Sequence, residues 1–242
     1  IYRIVTNDDF STTSRKVFLS DFVPTPISLM NTKRIGGAAT QVTLPAGVTA
    51  NRGETDRPTQ LLAASKVVGQ LGDFRYGVLG ALEDDVFWYG TDDSGNTANI
   101  EAEGREFAVA RFLYEDVGAA RRSVGYLGTL VSGPLYDAAV HSVDAHYTRG
   151  DGKLMLDGQL IRSDVDNLTG DGALFDLLYN VNSNWRHKLE IEYLDDAIDV
   201  SDFGFLRRND YASVRYIALY NKQKFTQSIS NFRSTLLLSL IH

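Results

Sequence analysis

Along residues 74–82, FRYGVLGAL, two kinds of side chain take turns. Phe74, Tyr76, Val78 and Leu82 fall on one side of an extended chain, and Arg75, Gly77, Leu79 and Ala81 on the other. The preceding run, QLLAASKVVGQL (60–71), carries Lys66 among apolar and small residues. Leu71-Gly72-Asp73 then reads as a tight turn between antiparallel strands. The same period of two predicts strands over 15–20, 27–35, 60–70, 74–82, 106–115, 123–131, 137–148, 153–163, 172–181, 184–194, 212–220 and 228–240. No amphipathic helix of three turns competes with them. Most of these roughly twelve runs are about nine to eleven residues long, against the five or six usual in soluble strands; a tilted strand needs that length to cross a bilayer.

The links between the runs carry a second pattern. Short links at 71–73, 116–122, 149–152, 182–183 and 221–227 largely alternate with longer ones at 83–105, 132–136, 164–171 and 195–211. Up-and-down outer-membrane barrels have short periplasmic turns and longer outer loops, whereas a Greek-key sandwich has less reason to keep the alternation. Within the runs, Trp185, His187, Leu189, Ile191 and Tyr193 oppose Arg186, Lys188, Glu190 and Glu192; Phe175, Leu177 and Tyr179 oppose Asp176 and Asn180. Periodicity does not say which face is inside. A soluble barrel turns its apolar face inward and a membrane barrel turns it outward. Tyr114, Tyr136, Tyr147, Trp185, Tyr193, Tyr211 and Tyr220, near strand ends, suit aromatic girdles at two membrane interfaces, although tyrosine also favours strands in general.

Composition narrows the choice by exclusion. The 242 residues suffice for one large β domain, taken here as residues 1–242. A net charge of −7 leaves no basic surplus to neutralise phosphates, which argues against a nucleic-acid partner. The absence of cysteine excludes disulfides, thiolate zinc sites and thiol nucleophiles. No apolar run reaches the 18 residues of a spanning helix. The hydrophobic share of 43% fits a soluble protein and a barrel alike, because only alternate strand residues of a barrel face lipid. Without an initiator Met or a signal peptide, the chain reads as processed or as a piece of a longer one, so missing targeting information does not mean cytoplasm.

Several segments together resemble one family: MNTKRIG (30–36), the hairpin 60–82, FAVARFLYEDVGAARRSVGYLGTLVS (107–132), 136–164, and DFGFLRRNDYASVRYIALY (202–220). Lys33-Arg34-Ile35-Gly36, Ala64-Ser65-Lys66-Val67-Val68-Gly69, Arg122-Ser123-Val124-Gly125 and Gly204-Phe205-Leu206-Arg207-Arg208-Asn209-Asp210-Tyr211 match its motifs in order. The chain is similar to an uncharacterised bacterial outer-membrane β-barrel domain that commonly follows a domain like family 9 carbohydrate-binding modules. Val17-Phe18-Leu19-Ser20-Asp21-Phe22 meets the family's aromatic first stretch only loosely, and the end Leu240-Ile241-His242 lacks the terminal aromatic of outer-membrane strands. The resemblance implies an antiparallel up-and-down transmembrane β-barrel, or a large part of one, in the bacterial outer membrane. Its partners are then membrane lipid and a glycan-binding domain or other envelope protein. The expected role is non-enzymatic, a membrane anchor or pore, with no cofactor and no metal. The alternatives are a soluble antiparallel barrel holding a small apolar ligand, and an outer-membrane barrel hydrolase.

On the barrel reading, Lys66, Arg75, Arg111, Asp144, Asp157, Asp176, Arg186, Lys188 and Arg215 face a wet lumen, because a Lys or Arg at the lipid midplane costs about 2–4 kcal/mol. Arg111 is the awkward member, sharing a face with Phe107, Val109 and Leu113. Arg162 falls on the apolar face and is expected to snorkel at its strand end. Mixed signs predict ion pairs that fill the interior. Ser142, Asp144 and His146 share one face and invite a triad, but same-face neighbours stand about 6.5–7 Å apart along a strand, too far for hydrogen-bonded relay. Asp144 with His146 offers a metal only two ligands. Asp92-Asp93-Ser94-Gly95-Asn96 and Asp164-Val165-Asp166-Asn167 lack the register of a calcium loop and read as solvated turns. Arg207, Arg208 and Asp210 form the sharpest polar cluster, which the resemblance implies is an Arg/Asp lock.

Overall fold

The alternating runs become strands that pair mainly with their chain neighbours. The structure, a computed structural model, describes residues 27–227 and 229–242. Its strands are β1 (Val48–Ala50), β2 (Leu61–Leu71), β3 (Phe74–Glu83), β4 (Val86–Asp92), β5 (Thr97–Ala102), β6 (Glu106–Val117), β7 (Ala120–Ser132), β8 (Asp137–Arg149), β9 (Leu154–Val165), β10 (Leu168–Asn180), β11 (Trp185–Leu194), β12 (Tyr211–Gln223) and β13 (Asn231–Ile241). Ten of them form one antiparallel sheet in the order β13-β12-β11-β10-β9-β8-β7-β6-β3-β2, and β1, β4 and β5 form a second. Among the described residues there is no α-helix, and no helix long and apolar enough to cross a membrane, which says nothing about strands. The all-β antiparallel meander is as expected. The sheet is not closed, however: β2 and β13 each have a hydrogen-bonded neighbour on one side only.

Three expectations change. Residues 27–35 are not a strand, because Asn31 caps a 3-10 turn at Thr32–Arg34, its side chain accepting from the Lys33 N–H. The link 83–105 is not a bare loop but contains β4 and β5, joined by a turn at Asp92–Asn96 and flanked by β1. The link 164–171 shrinks to two residues, Asp166 and Asn167, both with positive φ (50° and 64°), as a right-twisted hairpin requires. The alternation of short and longer links is therefore interrupted at that turn. The predicted strand 15–20 lies outside the described residues.

The two faces of the large sheet differ in kind. Even positions of β6 and β7 point outward and odd ones inward; in β8 the parity is reversed. Outward residues are apolar and exposed: Leu160 at 63%, Val124 at 54%, Val143 at 48%. Inward residues are buried whether apolar or charged, with Arg111 at 1% and Asp144 at 3%. These charged side chains are buried as completely as the apolar ones beside them. Phe74, Val78 and Leu82 are exposed on the outer face, while Arg75 lies opposite Leu113 and Lys66 opposite Leu79 on the inner one.

The inner wall is zoned along the strands. Towards the end holding the links 133–136, 166–167 and 195–210, it is apolar, with Phe107, Val109, Leu127, Val140 and Leu174. Two chain segments lie against this zone and contribute Leu29, Met30, Ile198, Val200 and Phe203. They are joined to each other by Asn31 N–H to Phe203 O (2.6 Å) and Phe205 N–H to Ser28 O (3.0 Å). Tyr136 and Tyr211, expected in outer girdles, instead pack against this inner cluster. Towards the other end, with the turns at 72–73, 118–119, 150–153 and 181–184, the wall is polar.

Candidate functional site

The polar zone is built from pairs that strand register brings together. Arg111 and Asp144 are two strands apart, and Nη1 and Nη2 donate to Oδ1 (2.6 Å) and Oδ2 (2.9 Å). Between them on β7 is Gly125, directly opposite both Leu113 and Asp144. A Cβ there would stand 2.6 Å from Arg111 Nη2, so the guanidinium lies where a side chain would otherwise be. This resolves the awkward placement of Arg111: its stem shares the inner face with Phe107 and Val109, and its head leaves the apolar zone for the polar one. A bidentate, fully buried pair is well satisfied in geometry, which buried charges require.

The other lumen candidates fall on the same face. His146 is directly opposite Asp157 in the register set by the 150–153 turn; its Nδ1 is 2.6 Å from Asp157 Oδ1 and its Nε2 2.8 Å from Thr148 Oγ1. Glu115 is held by Arg75 and Arg121, each at 2.6 Å. Glu190 is held by Lys188 and by Arg215, the latter at 3.2 Å. Arg186 donates to the Asn180 side chain (2.6 Å). Asp157, Asp176 and Glu190 are cross-strand neighbours on β9, β10 and β11, a row of like charges with His146 at one end and Arg215 at the other. Lys66, on the edge strand β2, is exposed.

These pairings separate the members of the HSVDAH run. Ser142 accepts from Gln159 Nε2 (3.1 Å), Asp144 is clamped by Arg111, and His146 is engaged by Asp157 and Thr148. No cluster of three or more His, Asp or Glu suited to a metal occurs among the described residues. In the β4–β5 turn, Asp92 Oδ1 accepts from the Ser94 and Asn96 N–H groups, and those bonds hold its carboxyl below the usual range. The carboxylate is committed to the turn. Arg207, Arg208 and Asp210 are exposed; Arg208 lies over the Tyr211 ring at 5.0 Å, and the Asp210 N–H donates to Asp195 O.

A buried Arg–Glu lock does exist, at residues the sequence did not single out. Arg105 donates to both Glu83 oxygens (3.1 and 3.3 Å), to Thr40 Oγ1 (3.0 Å) and to Arg34 O (3.3 Å). Glu83 also accepts the Gly36 N–H (2.7 Å), so the lock ties the segment 34–40 to the rim of β3 and β6. Near it, the hydroxyl of Tyr136 donates to Asp202 (3.3 Å). Burial, reinforced by the charge of Asp199, pushes the Asp202 carboxyl up.

The outer face has chemistry of its own. Between the rim pairs Arg122–Asp116 (2.8 Å) and Arg162–Asp171 (3.6 Å), no outward position carries Asp, Glu, Lys or Arg. Arg162 sits at this rim, where snorkelling was expected to place it. The two histidines of the band are each paired: His141 Nδ1 with the Tyr126 hydroxyl and His187 Nδ1 with the Tyr216 hydroxyl, both at 2.7 Å. Phe74, Phe112, Tyr126 and His141 stack ring on ring across four strands, with centroids 6.1–6.4 Å apart.

A family model, "Domain of unknown function (DUF5916)", matches residues 27–241. No curated protein and no solved structure matches the chain.

Proposed function

Since the chain belongs to this uncharacterised family, we propose from its physical construction that it is a non-enzymatic β-barrel domain of the bacterial outer membrane, acting as an anchor. The observation that carries this reading is the inversion of the sheet: between its charged rims the exposed face is apolar, and the buried face holds ion pairs such as Arg111–Asp144. A soluble barrel with an apolar ligand inside needs the opposite arrangement.

The dimensions agree with a bilayer. Glu106 and Asp116 bound the uncharged outer stretch of β6. At about 3.4 Å per residue and a tilt of about 40°, their separation corresponds to a band about 26 Å tall, against about 25 Å for outer-membrane barrels. The pairing of His141 and His187 with tyrosines is what a lipid-facing polar group needs, since no water is there to satisfy it. Tyr114, Tyr147, Trp185 and Tyr220 stand on the outer face near the short-turn end, where they would form one girdle, with Tyr193 towards the other rim. The link to a glycan-binding partner is supported by the motif resemblance.

The test is membrane fractionation of the protein in a diderm bacterium, comparing boiled and unboiled samples on a detergent gel. Recovery in the outer membrane with faster migration when unboiled is expected. A soluble product with no heat-dependent migration would overturn the reading.

A further inference from the structure

We propose that the two segments 27–31 and 198–205 are a built-in stopper that shuts the lumen at the long-link end, so that this domain does not conduct along its inner wall. The inference rests on the barrel reading and decides between the two roles that reading allows.

The wall is made for an occupant. A water-filled channel would carry polar side chains along its whole inner face, yet Phe107, Leu127, Val140 and Leu174 form an apolar zone at one end alone. Leu29, Ile198 and Phe203 cover that zone, and Phe203 meets Phe107 with ring centroids 5.2 Å apart. The polar zone below is lined by ion pairs between the strands themselves. Apolar wall and apolar stopper therefore coincide in extent.

The stopper is also fastened at the backbone. Ile27 N–H donates to Gln159 Oε1 (2.8 Å) on β9, and Asp199 N–H donates to Ser163 Oγ (3.0 Å) two turns of the pleat further along the same strand. Gln159 and Ser163 are buried polar groups in the wall, and the stopper's backbone N–H groups donate to the side-chain oxygen of each. Gly170 on β10 has no side chain because the backbone of Ala197 and Ile198 lies where a Cβ would project. Gly204 makes the same concession to Leu29, whose Cα would be 2.9 Å from an added Cβ. A loop that merely hung into a lumen would not require glycine in the wall it touches.

The experiment uses the full chain, folded into detergent and then into planar bilayers. Because the protein has no cysteine, single cysteines report access cleanly. Val140→Cys lies under the stopper and Thr148→Cys on the same inner face of β8 towards the other end. A small membrane-impermeant thiol reagent should label Val140→Cys at least about tenfold more slowly than Thr148→Cys, as protection by a packed segment requires. The bilayers should show no steady ohmic steps. Replacing Val200 and Phe203 together by Asp should raise labelling at Val140→Cys towards the Thr148→Cys rate and bring conductance steps. Equal labelling in the parent chain, or steady conductance without the substitutions, overturns the stopper even if the heat-dependent gel shift shows a barrel. Absence of that shift overturns the barrel and the stopper with it.

Discussion

Arg111 on β6 holds both carboxylate oxygens of Asp144 on β8 by passing over Gly125 of the strand between them. The three residues act as one unit, and mutation should show it. Asp144→Asn strands a buried guanidinium and should cost about 3–5 kcal/mol, whereas Arg111→Met with Asp144→Leu should cost less than either single change. Gly125→Ala should be costly in the parent chain and nearly neutral beside Arg111→Met. Urea unfolding in lipid, followed by tryptophan fluorescence, measures all of these. Additive effects would show that the three do not interact.

Leu160 is exposed on the outer face with no charged outer neighbour across β8 or β10. In water, Leu160→Arg would change stability by no more than about 0.5 kcal/mol. In a bilayer, two residues inside the rim that Arg162 marks, it should cost about 1–2 kcal/mol, between the interfacial and midplane values. Comparing the variant with Arg162→Leu at the rim, in the same unfolding assay, separates depth from charge. A negligible cost at Leu160 counts against a lipid-facing band.

Tyr126→Phe removes the hydroxyl that pairs with His141. On a wet surface the histidine would turn to water at little cost. In lipid the stranded ring nitrogen should cost about 1–3 kcal/mol, and His141→Leu added to Tyr126→Phe should restore most of it. Loss of stability that His141→Leu does not repair would point to stacking rather than hydrogen bonding.

Asp202 lies in the link that carries the stopper. Burial and the charge of Asp199 raise its carboxyl above the ordinary aspartate value. Its contribution to stability is therefore fully present below the unfolded-state value of about 3.9 and lost as the pH rises through the folded one. Amide exchange in residues 198–203, corrected for intrinsic rates, should show protection increasing on acidification from pH 7 in the parent chain. Asp202→Asn should remove that dependence. Protection that instead falls towards acid pH contradicts the sign.

Strand identity and face parity were legible because the outer face of the large sheet is apolar between its charged rims, so alternation survives along Trp185–Leu194 and Leu154–Val165. The hairpin β4–β5 was not. Phe87, Trp88 and Tyr89 are consecutive aromatics without alternation, and β1, which pairs with Gly90–Asp92 at the end of β4, is only three residues long and far along the chain. The turn at Asp166–Asn167 was hidden by polar rim residues on both sides, which read as loop. The Arg111–Asp144 pair was legible as two inward charges but not as a pair, since the gap at Gly125 matters only once register is fixed. Glu83 and Arg105, 22 residues apart across an undetected hairpin, gave no local signal at all. His146 and Asp157 could have been found: the four-residue turn between β8 and β9 puts them opposite each other.

The meander also sets an order of assembly. Apart from the step between β3 and β6, every pairing in the large sheet joins neighbours in sequence, so the sheet can grow one hairpin at a time with short loops to close. Ile27 cannot take part in that growth, because its partner Gln159 is 132 residues away and belongs to a strand formed much later. Leu29 must wait for Gly204 as well, which follows β11. Sealing thus waits for the link that follows β11, and a chain arrested at the end of β11 would have an inner wall that still lacks its cork.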